Sequence, residues 1–347
     1  MPTEKAPRRR VQLNPNLTLP EVRELANNEN LQVLQTASPI DRNTWQLINE
    51  ELLVRRPDVE IRVYGFYGLV CDLSFLQKMS ELRRLSADCL HKAVGVEHLS
   101  GLDKLERLSV GIYSLDSFDF LREIPPSLRT LALAATKSNK PRLDALSRFK
   151  SLERLYLEGQ QNGIETLSAL TNLQRLTLRS ISTKDLSYVA GLNLLWNLEV
   201  KLGGIKDFSA LENKTSVKYL ELWQVRGLRD LGFVSSLTGL QYLFLQSLRN
   251  VIALPDFSRL VKLRRIYLEN MKALVDASAL WSAPALTQFH HVSAQNMSLE
   301  QYAGLASVPT LEQVLVGFGS RRRNREFEAM MRSAGKNRLD GKEFIFD

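Results

Sequence analysis

Cysteine and histidine are scarce in this chain of 347 residues: Cys71 and Cys89 are its only thiols, and His91, His98, His290 and His291 its only imidazoles. Neither cysteine has a histidine at zinc-binding spacing, so both read as small buried fillers. Long hydrophobic runs are missing too. No stretch approaches the length of a membrane span, and residues 1–10 are basic with no apolar core after them, which speaks against a secretory signal peptide. With so few thiols to close its ends by disulfides, the chain is expected in a reducing compartment, the cytoplasm. The sequence also lacks a P-loop, a G-x-S-x-G elbow, a Gly-rich dinucleotide turn and an H-E-x-x-H pair. No enzyme, metal or cofactor is expected.

The formal net charge of +8 is unevenly placed. Residues 1–10 carry Lys5, Arg8, Arg9 and Arg10 against Glu4, for +3. Residues 321–347 hold eight basic and five acidic side chains, again +3, so the body between keeps only +2. Basic ends of this kind read as solvated tails rather than as a nucleic-acid footprint.

What the sequence does contain is a repeat. The pattern L-x-x-L-x-L recurs as Leu82/Leu85/Ala87, Leu105/Leu108/Val110, Leu128/Leu131/Leu133, Leu152/Leu155/Leu157, Leu173/Leu176/Leu178 and Leu195/Leu198/Val200. It continues as Val217/Leu220/Leu222, Leu240/Leu243/Leu245, Leu263/Ile266/Leu268, Leu286/Phe289/His291 and Leu311/Val314/Val316. These eleven units are spaced by 21 to 25 residues, Ile61 and Val63 suggest a degenerate twelfth, and residues 31–34 suggest one more. Between the triplets stand Asp72-Leu73-Ser74, Asp185-Leu186-Ser187, Asp207-Phe208-Ser209 and Asp256-Phe257-Ser258, where the carboxylate is placed to cap a short helical turn. Each unit therefore predicts a strand, a turn, a one- or two-turn helical segment and a turn back. Eleven strands at about 4.8 Å make a parallel sheet of roughly 50 to 55 Å.

Over residues 59–319 the chain resembles the leucine-rich-repeat family, in its short bacterial type of about 22 to 23 residues per repeat found in internalins and the phosphatase-regulator subclass. The resemblance implies an α/β fold: a curved solenoid with a parallel β-sheet on the concave face, short helical or 3-10 segments on the convex face, and helical caps. One feature departs from that family: the usual Asn, eight residues after the first leucine, is replaced by Ile181, Val225, Leu248 and Met271 in four repeats. That turn must be held by apolar packing and backbone bonds. The expected organisation is a flexible basic tail at 1–10, an N-terminal cap at 11–56, repeats at 57–320 and a C-terminal cap at 321–347. In the first cap Asp41 precedes a helical stripe of Trp45, Ile48, Leu52 and Leu53. In the second, Phe327, Met330 and Met331 share a helix face that stops at Gly335, and residues 343–347 read as a last strand.

In L1-x-x-L4-x-L6, positions four and six point inward and positions three, five and seven point out along the concave sheet. Neighbouring His290 and His291 then face opposite sides and cannot chelate one ion. Early repeats show small outward residues, Ser109, Gly111, Ala132 and Ala134. From residue 154 onward the columns carry aromatics among charges. Position three supplies Arg154, Arg175, Tyr219, Tyr242 and Arg265; position five supplies Tyr156, Glu221, Phe244, Tyr267 and His290; position seven supplies Arg179 and Trp223. Tyr, Trp and Arg dominate interface hot spots, so these twelve residues are the candidate partner-binding set. Glu158, Glu199, Glu221 and Glu269 lie among them, which suits a protein partner of mixed charge and argues against a polyanion. The expectation is a non-catalytic protein-interaction module, monomeric before it binds, with no membrane partner. Three other readings stay open: nucleic-acid binding through the arginine and aromatic columns, a secreted effector, and, by resemblance to stand-alone bacterial repeats, an immunity protein that neutralises a toxin or effector enzyme.

Overall fold

The computed structural model describes residues 9–338 and 341–347; residues 1–8 of the expected tail lie outside the described residues. Two compact units divide the chain, Met1–Leu173 and Gln174–Asp347. Each is a parallel sheet most of whose strands are joined through short helical segments.

The first unit holds β1 (Arg9–Gln12), β2 (Leu31–Thr36), β3 (Glu60–Tyr64), β4 (Cys71–Asp72), β5 (Arg84–Leu90), β6 (Ala93–Val94), β7 (Arg107–Ile112), β8 (Thr130–Leu133) and β9 (Arg154–Glu158). The main sheet runs β1-β2-β3-β5-β7-β8-β9, while β4 and β6 pair with each other. The second unit holds β10 (Arg175–Arg179), β11 (Asn197–Lys201), β12 (Tyr219–Trp223), β13 (Tyr242–Gln246), β14 (Arg265–Glu269), β15 (Gln288–Val292) and β16 (Gln313–Val316), side by side in chain order.

The leucine triplets set the register. Leu85 pairs with Leu108, Leu108 with Leu131 and Leu131 with Leu155 in the first unit. In the second, Leu198, Leu220, Leu243, Ile266 and Phe289 follow one another across adjacent strands, and all five are fully buried. An apolar side chain at nearly every inward position leaves no register but this one, because a slip by one residue would expose the whole set. On the return path Asp72, Asp185 and Asp207 stand before 3-10 turns as expected, whereas Asp256 has no helical segment after it. Asp72, Asp185, Asp207 and Asp256 each accept from the backbone N–H two residues on, at 2.8 to 2.9 Å. Asp230 and Asp276 do the same at 2.8 Å.

Where the family's Asn would stand, Ile181, Val225, Leu248 and Met271 are buried, and the backbone closes the turn. The preceding residue takes a left-handed conformation in repeat after repeat: Ser180, Leu202, Gln224, Ser247, Asn270 and Ser293 have φ between 51° and 58°. This rotation lets the N–H reach the next strand, as in Leu202 N–H to Trp223 O and Gln224 N–H to Gln246 O, both 2.8 Å. A β-carbon costs energy there, and Asn tolerates the region better than Leu. Leu202→Asn is therefore expected to stabilise the fold by about 0.5 to 1 kcal/mol. Urea denaturation checks this, and a loss of stability would mean that the half-buried leucine packs better than its backbone strain costs.

The capping segments follow their apolar stripes. Asp41 accepts from Asn43 N–H at 2.8 Å and opens α2 (Arg42–Leu47), which passes into a π-helical turn over Ile48–Leu53. Trp45, Ile48, Leu52 and Leu53 are buried as expected. A helix the repeat pattern does not announce, α1 (Leu19–Asn27), precedes it and is opened by a Thr18/Glu21 capping box. At the other end α3 (Arg321–Ser333) buries Phe327 and Met331, with Met330 half-buried and Gly335 in the left-handed region after it.

Three expectations need correction. Arg9 and Arg10 are not tail but part of β1, where backbone pairing to β2 needs no apolar alternation. Residues 343–347 form no strand. Cys71 is buried but Cys89 is exposed, because its φ of 55° turns the side chain away from the core.

Candidate functional site

The strand register places side chains from alternate positions on the outer face of each sheet. In the first unit that face begins with an ion-pair block. Arg62 grips Asp88 at 2.7 Å, lies 4.4 Å from the Tyr64 ring centroid and donates to Gln35 at 3.1 Å. Ser86 donates to the buried Glu60 at 2.6 Å, and Arg107 stands 3.5 Å from that carboxylate. Farther along, Ser109, Gly111, Ala132 and Ala134 floor a shallow depression walled by Tyr113, Tyr156 and Glu158. Of the candidate residues, Arg154 and Tyr156 belong to this unit. Arg154 is exposed, and Tyr156 donates its hydroxyl to Glu158 at 2.9 Å.

The other ten candidates belong to the second unit. Tyr219 on β12 pairs with Tyr242 on β13, and their rings meet edge to face at 5.2 Å. Phe244 on β13 stacks on Tyr267 of β14 at 4.8 Å, and Tyr267 meets His290 of β15 at 4.5 Å. Arg179 lies over the half-buried Trp223 ring at 5.5 Å, and Arg265 over Tyr242 at 5.4 Å. Arg175 lies over Trp196 instead, at 4.4 Å. Beside these rings, Lys201 holds two carboxylates, Glu199 at 2.7 Å and Glu221 at 3.1 Å, while Tyr219 donates to the other oxygen of Glu221 at 2.8 Å. Burial, with Glu199 adding to it, raises the pKa of Glu221 despite the opposing pull of Lys201. Burial and the charge on Arg265 push His290 down to about 4, so this imidazole is neutral near pH 7.

An open aromatic surface was expected here, and that expectation is overturned for four residues. Tyr219 is 5% exposed, Tyr242 7%, Phe244 5% and Glu221 4%. They do point outward, as their register requires, but the chain's own residues 341–347 lie on the aromatic cluster. Phe344 contacts Tyr242 with centroids 5.3 Å apart and lies under Arg264 and Arg265 at 4.9 and 5.2 Å. Phe346 contacts Trp196 at 5.4 Å and Tyr219 at 6.1 Å. Polar side chains grip the backbone between. Arg265 donates to Lys342 O at 3.1 Å, and Arg264 to Ile345 O and Asp347 Oδ1, each at 2.9 Å. Gln241 accepts from Asp347 N–H at 3.1 Å, and Lys218 donates to Asp347 O.

Trp196, Lys218, Gln241 and Arg264 all stand at position two of their repeats, a column outside the three read from the sequence. In the first unit this column carries cross-repeat ion pairs, Arg83 with Glu106 at 2.6 Å and Arg129 with Glu153 at 2.9 Å. A tryptophan at residue 196, in a column otherwise of charged and polar side chains, is the signal that could have revealed the site. His291 faces the core, fully buried, with Nδ1 2.5 Å from the Tyr302 hydroxyl. Among the described residues no cluster of His, Cys, Asp or Glu is arranged to hold a metal ion, and no helix is long and apolar enough to cross a membrane.

No protein-family profile and no curated protein matches the chain. Solved structures do match it in fold. A leucine-rich-repeat protein of Leptospira interrogans superposes with a TM-score of 0.51 at 15% identity, over 89% of this chain and 90% of that one. TLR13, in a complex with ssRNA13, gives 0.52 at 16% identity over 89% of this chain and 54% of that one. An internalin of Listeria monocytogenes gives 0.48 at 19% identity, over 82% and 80%.

Proposed function

On the frame of a leucine-rich-repeat fold, we propose that this chain is a non-catalytic binding module that takes a protein partner on the outer face of its second unit. The observation that carries the proposal is the segment already lying there: rings and guanidinium groups of this face hold a stretch of polypeptide by its aromatic side chains and its backbone. A surface that binds peptide groups in this way has the chemistry of a protein interface. Glu199, Glu221 and Glu269 on the same face work against a polyanion, so the nucleic acid in the TLR13 complex is not carried over. The two free thiols support a cytoplasmic location as part of this reading.

Trp223 is the anchor to test. It is half-buried under Arg179 and stands outside the aromatic cluster that residues 341–347 pack against. After capture of the partner from native lysate, Trp223→Ala is expected to weaken binding by at least about 2 kcal/mol, roughly thirtyfold. Unchanged affinity for both Trp223→Ala and Tyr267→Ala would remove this face from the binding surface.

A further inference from the structure

Residues 341–347 are held to the sheet by side chains rather than by a backbone ladder. They form no strand, and their main-chain groups are met by side chains, Arg265 at Lys342, Arg264 at Ile345, and Lys218 and Gln241 at Asp347. An integral edge strand would instead bond through its backbone to the backbone of the sheet. Side chains alternate as in an extended peptide: Phe344 and Phe346 face the rings, whereas Ile345 between them is 78% exposed. Both phenylalanines stay half-buried and the Asp347 side chain is 70% exposed, so the segment lies on the face rather than within it.

The contacts also divide by information. Bonds to carbonyl oxygens accept any residue, whereas the two ring contacts and the Arg264–Asp347 ion pair read side chains. Three cations, Lys218, Arg264 and Arg265, border the groove and favour an acidic segment. Peptides recognised in this manner bind in extended form, with pockets for alternate side chains and polar groups for the backbone.

We propose that this groove is a receptor site for an extended, acidic segment of a partner protein bearing two aromatic side chains two residues apart and then a carboxylate. Residues 341–347 are its resident occupant, which the partner's segment displaces. The proposal rests on the protein-binding reading above and specifies the partner's chemistry. Occupancy by the protein's own segment lowers the affinity for any competitor by the fraction of time the groove is filled.

The test uses a fluorescent peptide with the sequence of residues 341–347, titrated by anisotropy into the full chain and into full-length Phe344→Ala/Phe346→Ala. The double variant is expected to bind at least tenfold more tightly than the wild type, and a peptide with both phenylalanines replaced by alanine should bind neither. Equal binding to wild type and variant, or binding to neither, overturns the proposal. Circular dichroism confirms folding, and should the double variant not fold, Asp347→Lys at the exposed end is expected to raise peptide affinity severalfold. A wild-type dimer in sedimentation that the double substitution breaks would put the segment in a second copy's groove and overturn intramolecular occupancy. The two readings fail separately. Absent peptide binding with Trp223-dependent partner capture intact sinks only the groove, whereas peptide binding with partner capture unchanged by both Trp223→Ala and Tyr267→Ala keeps the groove as a peptide site and sinks the reading that the captured partner uses this face.

Discussion

Replacing Lys201 by methionine is expected to cost roughly 3 kcal/mol of folding stability at pH 7, within the range for breaking a buried ion pair by removing one partner. Lys201 stands between Glu199 and Glu221 at 2.7 and 3.1 Å, with its side chain 14% exposed and that of Glu221 5%. Burial works against the ammonium, yet the two carboxylates outweigh it and its pKa rises. Methionine fills similar volume, so the loss is electrostatic. Two desolvated carboxylates on adjacent strands would then face each other with only the Tyr219 hydroxyl to share. The pH dependence follows from the sign of the Glu221 shift. An acid whose folded pKa lies above its unfolded value favours the fold below the unfolded pKa, and that stability is lost as pH climbs through the folded value. Without Lys201 the Glu221 pKa rises further, so the penalty is full near neutrality and shrinks as pH falls toward the ordinary glutamate value of about 4.3. Urea titrations of wild type and variant between pH 4.5 and 8 decide it. A gap that does not change with pH, or one below about 1 kcal/mol, would show the triad to be solvated.

The parts of this fold legible in the sequence are those in which each repeat speaks for its neighbours. A strand flanked by two others must present its leucines at the same two positions, so the triplets from Leu82 to Val316 locate β5, β7 to β16 and their inward faces. Weaker copies of the pattern sufficed for β3 at Ile61 and Val63 and for β2 at residues 31–34. The outward direction of Tyr219, Trp223, Tyr242 and Phe244 follows from the same alternation. What periodicity does not carry is anything that lies across it. β1 carries no leucine triplet to mark it. The left-handed residue in each turn recurs as Ser180, Leu202, Gln224 and Ser247, a set of side chains that shares no chemistry. Phe344 and Phe346 alternate as a strand would, which is why they read as one, but their partners lie far back in the chain. Arg264 and Ile345 are 81 residues apart and Lys218 and Asp347 129, and no local rule connects such positions.

The covered face also changes which substitution should unfold the protein. Outward position alone, away from the leucine core, would let Tyr242 and Phe244 be lost together with stability almost untouched. The structure shows them 7% and 5% exposed, packed with Tyr219, Tyr267 and Phe344, so they belong to a second apolar layer on the outer side of the sheet. Tyr242→Ala/Phe244→Ala is therefore expected to destabilise by about 3 kcal/mol or more, at the low end for aromatic truncations because Phe344 and Tyr267, only half-buried themselves, can move into the space. Leu243 sits between the two on the same strand and faces the core with no exposed surface. Leu243→Ala should cost roughly 2 to 5 kcal/mol, and because its inward neighbours Leu220 and Ile266 on the two flanking strands keep their places, the cavity will close little. Trp223→Ala completes the comparison with a loss near 0.5 kcal/mol, as for a partly exposed surface residue. Chemical denaturation of the three variants tests the two-layer arrangement. If the aromatic pair behaves like Trp223, the outer layer is a loose cover and residues 341–347 contribute nothing to stability; if it behaves like Leu243, the sheet is packed on both sides, and a partner reaching that face must first break native contacts.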